Sequence, residues 1–280
     1  MRRESRLSSS TAIGRTSYWV FAGGLAILFL FPLLWTAVAS VSPDPATAQQ
    51  DGYGFGNYET LADYDAGLPQ YLWNSTYVSA LTVLLTLLLS VLGGYAFARF
   101  RFFGRDVFFL LIIAILMVPY ATVLIPLWVL FGELGLRNSL FGVALVLTLY
   151  QLPFAMFMMR ISFEAVPREL EESALVDGCG TFGVLRWILL YAVWPGMLTV
   201  GLFAFLFAWN DFIAPLFLIT DNERYPLPLA MATIRQQTMG AVDFGVTEAG
   251  VVVMALPCLI LFLVLQRHYV RGFMSGALKG

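Results

Sequence analysis

The sequence predicts an all-α membrane protein with six transmembrane helices, and three observations predict it. Hydrophobic residues make up 59% of the chain and charged residues only 12%, far from the roughly 45–50% apolar and about 25% charged composition of soluble domains. Six predominantly apolar runs each approach the ~20 helical residues that cross a ~30 Å hydrocarbon layer. The basic residues gather in alternate connections between those runs.

The runs cover residues 18–41, 73–97, 107–131, 140–159, 197–219 and 246–265. All are read as helices. Lipid leaves no partner for an unpaired backbone group, and the runs lack the alternation of barrel strands. Arg2, Arg3, Arg6 and Arg15 precede the first run, and no further Lys or Arg follows until Arg99. The first loop instead carries Asp44, Asp51, Glu59, Asp63 and Asp65. Arg99, Arg101 and Arg105 mark the second inner connection, Arg160, Arg168 and Arg186 the third, and Arg267, Arg271 and Lys279 the C-terminal tail. Thirteen of the 16 basic residues thus fall on one side, with Arg137, Arg224 and Arg235 on the other. By the positive-inside rule both termini are cytoplasmic, while Asp51 and Glu223 are outside.

This divides the chain into a cytoplasmic N-terminal tail (1–16), a six-helix domain (17–266) containing a cytoplasmic loop (160–194), and a cytoplasmic C-terminal tail (267–280). Arg15, the apolar stretch after it and Ala37-Val38-Ala39 resemble a signal peptide with a small-residue cleavage site. The stretch is longer than a typical signal core and contains Pro32, and its removal would leave an odd number of spans. It is read as a retained span.

Within the second run, Ser75, Ser79, Thr82, Thr86 and Ser90 fall on one face, a stripe continued by Gly93 and Gly94. Such a stripe serves close helix packing or lines a path for a polar substrate, which makes Ser79, Thr82 and Thr86 candidate path residues. Pro119 and Pro126, Pro153, Pro215 and Pro257 predict kinks in the third to sixth spans. In loop 160–194, Pro167 suits a helix start, Glu169, Glu171 and Glu172 suit its positive end, and Gly178 suits a left-handed cap. A short helix is expected from Pro167 to Asp177. Thr181 can cap a second helix whose Phe182, Leu185, Ile188 and Leu189 share a face.

Asn210 and Asp211 lie inside the fifth run beside Trp209. An ionised Asp at mid-membrane costs ~2.5–3.5 kcal/mol on insertion scales, so it must face protein or water. Two readings stay open: substrate contact, with Trp209 stacking on a sugar ring, or a polar tie between helices. Cys179 and Cys258 form no metal-ligand spacing, and His268, the single histidine, has no second member for a triad or metal site.

The segment Glu169-Leu170-Glu171-Glu172-Ser173-Ala174-Leu175-Val176-Asp177-Gly178 resembles the EAA loop of ABC-importer permeases, with Glu172-Ser173-Ala174 at its core, Asp177 and Gly178 following, and Pro195 further on. Ser173 and Cys179 stand where Ala is usual there, and Tyr191 where Pro is common. Phe31-Pro32-Leu33-Leu34-Trp35, Gly94-Tyr95-Ala96-Phe97-Ala98-Arg99-Phe100, Trp209-Asn210-Asp211-Phe212 and Ser275-Gly276-Ala277-Leu278-Lys279-Gly280 resemble, in order, the six-span partner permease of maltose-type carbohydrate importers.

The resemblance implies a type I ABC importer permease architecture in a bacterial inner membrane. Glu171, Glu172, Ser173, Ala174, Asp177 and Gly178 would couple to an ATPase. It implies four kinds of partner: a second permease, two copies of an ATP-binding subunit, an extracytoplasmic sugar-binding protein and membrane lipid. No nucleic-acid partner is expected. The chain has no Walker-type glycine loop, so ATP and Mg are expected on the partner subunits and no cofactor on this chain. Two other classes compete. An intramembrane enzyme would use Asp211 and Glu248, but no nucleophile or metal pair accompanies them. An ion-driven carrier would need buried coupling groups and usually a repeat.

Overall fold

A computed structural model of the chain describes residues 4–43, 52–237 and 244–277. The expectations that rest on Arg2, Arg3, Asp44, Asp51 and residues 278–280 lie outside them. Two compact units are distinguished: Met1–Leu61 with Thr238–Val253, and Ala62–Gln237 with Met254–Gly280.

In the first unit, α1 (Glu4–Ala39) is apolar on every side from Tyr18 onward, with Phe21, Ile27, Phe29 and Trp35 all exposed. A helix apolar all round belongs in lipid or against other membrane helices. After it the chain turns back into α2 (Gly56–Ala62). The return is fixed by Asn57, whose buried amide donates to the carbonyls of Ser40 (2.9 Å) and Ser42 (3.0 Å), and by a 2.9 Å bond between the Ser40 and Tyr58 hydroxyls.

The second unit is organised by α3 (Leu68–Arg99), α6 (Leu140–Glu164) and α10 (Trp194–Asn210), which pack on one another, α3 and α6 most extensively. The hydroxyl stripe of α3 explains the approach: Ser75, Ser79, Thr82, Thr86 and Ser90 are all buried. At Gly94 the approach is closest. A Cβ there would sit 2.6 Å from Met159 Cβ and 3.0 Å from the Arg160 nitrogen. Overfilling a packed contact of this kind typically costs ~1–3 kcal/mol.

The third expected span is not one helix. α4 (Arg105–Ala114) runs into a 3₁₀ turn (Ile115–Met117), and α5 (Tyr120–Glu133) then leaves at 102°. Pro119 is the cause, since its ring pushes the residue before it out of the helical region, and Val118 is extended (φ −80°, ψ 124°). The fifth run is broken as well. α10 ends at Asn210, Asp211 is extended (φ −75°, ψ 128°), and α11 (Ile213–Leu218) starts anew. Pro215 therefore does not kink a helix; it occupies a first turn, where its missing N–H leaves no intrahelical bond unmade. Pro126, Pro153 and Pro257 are carried inside continuous helices.

α12 (Leu227–Gln237) precedes α13 (Phe244–Ala277), which runs on past the expected tail boundary at 267, just as α1 begins well before residue 17. Among the described residues four helices are long and apolar enough to cross a membrane, and six spans result when each bent pair counts as one.

Candidate functional site

The connection between α6 and α10 is the first candidate. Pro167 is extended (φ −56°, ψ 137°) and opens α7 (Arg168–Val176), whose first turn carries Glu169 and Glu171 at the positive end of the helix dipole. The helix closes in a Schellman motif. The Cys179 N–H donates to the Ala174 carbonyl (3.0 Å) and the Gly178 N–H to that of Leu175 (3.1 Å), with Gly178 left-handed at φ +87°. Nothing lies within 4 Å of a Cβ built on Gly178, so conformation rather than crowding calls for glycine there.

The predicted coupling residues part company on α7. Glu172, Ser173, Asp177 and Gly178 are exposed, with the Ser173 hydroxyl donating to the Glu169 carbonyl at 2.6 Å. Ala174 is buried and joins the core formed by Val91, Tyr95, Ala98, Met159 and Phe163. Glu171 also turns inward. Tyr95 donates its hydroxyl to Glu171 Oε1 at 2.9 Å, Arg99 Nε lies 3.2 Å from Oε2, and Arg99 Nη2 donates to the Val166 carbonyl at 2.7 Å. The Arg99 and Glu171 side chains are 6% and 17% exposed. A phenol and a guanidinium at the end of α3 thus clasp the loop from both sides of Pro167. Spacing offers no route to this contact, which joins positions 76 residues apart; the usable signal is a cation closing one span and a carboxylate opening a later loop helix.

Past Gly178 the chain forms α8 (Thr181–Val184), one π-helical turn (Leu185–Leu189) and α9 (Leu190–Ala192), which meets α10 at 77°. The cap is Gly180, with no side-chain bond, so Thr181 is the first helical residue rather than the expected cap. Of the expected buried face, Leu185 and Leu189 are buried and Ile188 half-buried, but Phe182 is 70% exposed and Val184 takes its place. The π turn inserts a residue into the helical repeat, and positions on either side of it no longer share one face.

The second candidate lies where two spans break. Asp211 Oδ1 accepts the Ala214 N–H at 2.9 Å, in the manner of a helix cap, and the Tyr120 hydroxyl at 3.2 Å. Tyr120 begins α5 just after the Pro119 bend, and its carbonyl accepts the Tyr150 hydroxyl at 2.9 Å, with the two rings edge to face at 4.3 Å. Asp211 therefore ties one break to the other. Asn210 beside it is exposed, its amide donating back to the Leu206 carbonyl at 2.7 Å.

Trp209 does not present a stacking face. It is 3% exposed, lies parallel to Phe205 at 5.5 Å, and donates its indole N–H to the Met254 carbonyl at 2.9 Å. Of the two open readings, this burial supports the structural one for Trp209. Ser79, Thr82 and Thr86 sit in the α3 packing face at 0–1% exposure and have no open surface to offer. Tyr120 and Tyr150 escaped the sequence reading. A tyrosine in an apolar run carries a hydroxyl that needs a partner, and that is the signal that could have singled them out. Among the described residues no three His, Cys, Asp or Glu side chains gather to hold a metal, and both cysteines are free.

Comparison with known proteins fits this geometry. The chain is 32% identical over 271 residues to the probable ABC transporter permease protein YurM of Bacillus subtilis, covering 96% of this chain and 90% of that one. It is 32% identical over 277 residues to the sulfoquinovosyl glycerol transport system permease protein SmoH of Agrobacterium fabrum, covering 97% and 96%. A crystal structure of a bacterial ABC transporter involved in the import of the acidic polysaccharide alginate contains a chain of the same fold, with a TM-score of 0.76 at 21% identity, over 95% of this chain and 98% of that one. Residues 90–274 match the family described as the binding-protein-dependent transport system inner membrane component, and the chain, an all-α membrane protein with a structured loop between α6 and α10, belongs to that family.

Proposed function

We propose that this chain is one of two permease subunits of an ATP-driven importer of a sugar or sugar derivative, and that it takes the force of ATP hydrolysis through α7. The observation that carries the reading is the construction of α7: a short acidic helix stopped by a glycine, showing Glu172 to solvent while Ala174 and Glu171 fix its back to the membrane helices. Relatives named for sulfoquinovosyl glycerol, arabinooligosaccharides and diacetylchitobiose support a carbohydrate-like substrate.

In this reading the excess of arginines puts both termini and loop 160–194 in the cytoplasm. The partners are a second permease, two ATP-binding subunits that hold ATP and Mg, and an extracytoplasmic sugar-binding protein. Glu172 offers a charge-assisted acceptor to the ATPase cleft, and the exposed Leu170, Leu175 and Val176 supply apolar contact. Asn210, Asp211, Tyr120 and Tyr150 offer the hydroxyl, amide and carboxylate groups a sugar path requires. The test is reconstitution of the full complex, with uptake and ATPase activity measured with and without sugar-loaded binding protein. Glu172→Lys should abolish stimulation of the ATPase by loaded binding protein and cut uptake, leaving sugar capture by that protein unchanged. Wild-type uptake and stimulation in this variant would refute α7 as the coupling element.

A further inference from the structure

The stretch Thr181–Ala192 stands at 77° to α10. With α10 taken as the membrane-crossing part of this bent pair, a helix so nearly at right angles to it lies close to the membrane plane. Its inner side is closed by Val184, Leu185 and Leu189, at 0–5% exposure. Its outer side is aromatic, with Trp187 64% and Tyr191 75% exposed, and Trp194, the first residue of α10 across the bend, is 51% exposed beside them. The Arg186 guanidinium sits 5.1 Å from the Trp187 ring centroid. Together with Leu190 and Met197 these residues line a groove of about 470 Å³ at the corner between the two helices.

A row of exposed Trp and Tyr is costly in water and favoured in the headgroup layer, where the ring meets acyl chains and the N–H or O–H meets water. Arginine matches a phosphate in geometry and charge. The groove is also continuous with the membrane: Trp194 and Met197 are in the first turn of α10 itself. The exposed face of α7 differs in kind, since it carries Glu169, Glu172 and Asp177, and suits a protein partner instead. We infer that Thr181–Ala192 lies in the headgroup layer on the side of loop 160–194. Its corner groove takes a phospholipid, the phosphate against Arg186 and an acyl chain along Leu190 and Met197. The inference needs α10 to span the bilayer and is independent of whether α7 drives transport.

Two measurements test it on the assembled complex in vesicles of phosphatidylethanolamine and phosphatidylglycerol. A nitroxide placed by Tyr191→Cys should be relaxed by both dissolved oxygen and a water-soluble nickel chelate, as at a headgroup depth. A Tyr191 label reached by the chelate alone would place this face in water, and one reached by neither reagent would place it under protein; either result overturns the inference. Phospholipid retained by the purified complex, counted by native mass spectrometry, should fall on Arg186→Gln, with loss of bound phosphatidylglycerol. Retention equal to wild type would remove Arg186 from the site and overturn the phosphate assignment.

Discussion

Glu171 and Asp211 are two partly buried carboxylates, each accepting a tyrosine hydroxyl, yet the chain around them behaves in opposite ways. At Glu171 the second partner is a cation on another helix, so the carboxylate joins two elements that are already whole. At Asp211 the second partner is the Ala214 N–H, so the carboxylate starts a new helix and stands at a break. The difference is between a weld and a joint. The first fixes the back of α7 to α3; the second holds two interrupted spans in register through bonds of ordinary strength, beside an exposed amide at Asn210.

The comparison can be broken at several points, and the largest effect is expected at the weld. Arg99→Met leaves Glu171 charged in a poorly solvated place, and removing one partner of a buried pair typically costs ~3–5 kcal/mol. Hydrogen exchange of residues 168–176 should rise steeply in Arg99→Met and in Glu171→Met, and fall back in part when Arg99→Glu is combined with Glu171→Arg. Exchange like that of wild type in the single variants would mean α7 is held by Ala174 alone.

Next comes Gly178→Val, where the left-handed backbone costs a side chain ~1–2 kcal/mol. The expected outcome is a lower ratio of uptake to ATP hydrolysis in the reconstituted complex. Gly178→Asn should lie nearer wild type, because Asn tolerates that conformation better. Equal ratios in all three proteins would show that the exit angle of α7 does not matter.

Asp211→Ala removes a cap, a loss of typically ~1 kcal/mol, and should lower the thermal midpoint of the complex modestly. Asp211→Asn keeps an acceptor for Ala214 and should keep the midpoint. A fall in uptake for Asp211→Asn at unchanged midpoint would assign the charge to the path; a fall in both would assign it to the joint. The smallest change is expected for Tyr150→Phe, which loses one hydrogen bond to the Tyr120 carbonyl, worth ~0.5–1.5 kcal/mol. A midpoint shift larger than that of Asp211→Ala would reverse the order and place the main restraint on the Tyr120 backbone.

Loop 160–194 was readable in advance because its ends are punctuated by residues with one physical meaning. Pro167 opens a helix and Gly178 closes it whatever surrounds them, and α7 lies between them within a residue of the expected bounds. The spans were readable as apolar lengths but not as directions. Hydropathy along 107–131 is the same for a straight helix and for two helices at 102°. The turn follows from where Val118 and Pro119 fall relative to neighbours that the sequence does not supply. The fifth run held more information than its composition: Asp211, followed four residues later by Pro215, is a helix-start pattern. Trp209 stayed open between two roles for a related reason, since an indole looks alike in a core and in a cavity until its N–H is seen on the Met254 carbonyl. At Glu171 the signal, a cation closing one span and carboxylates opening a later loop helix, names the two elements but not the residue, because which carboxylate of an acidic helix turns inward is decided by the cation it meets.

The contact at Gly94 has a mechanical consequence. With the α3 backbone almost against that of α6, a slip of one helical turn, about 5.4 Å, would move Ser90 or Ala98 into space that only a hydrogen fills. Sliding is thereby penalised for this pair. Rotation meets no such obstacle at the chain's bends, at Val118–Pro119, at Val193 and at Asp211–Phe212, where the backbone leaves the helical ladder.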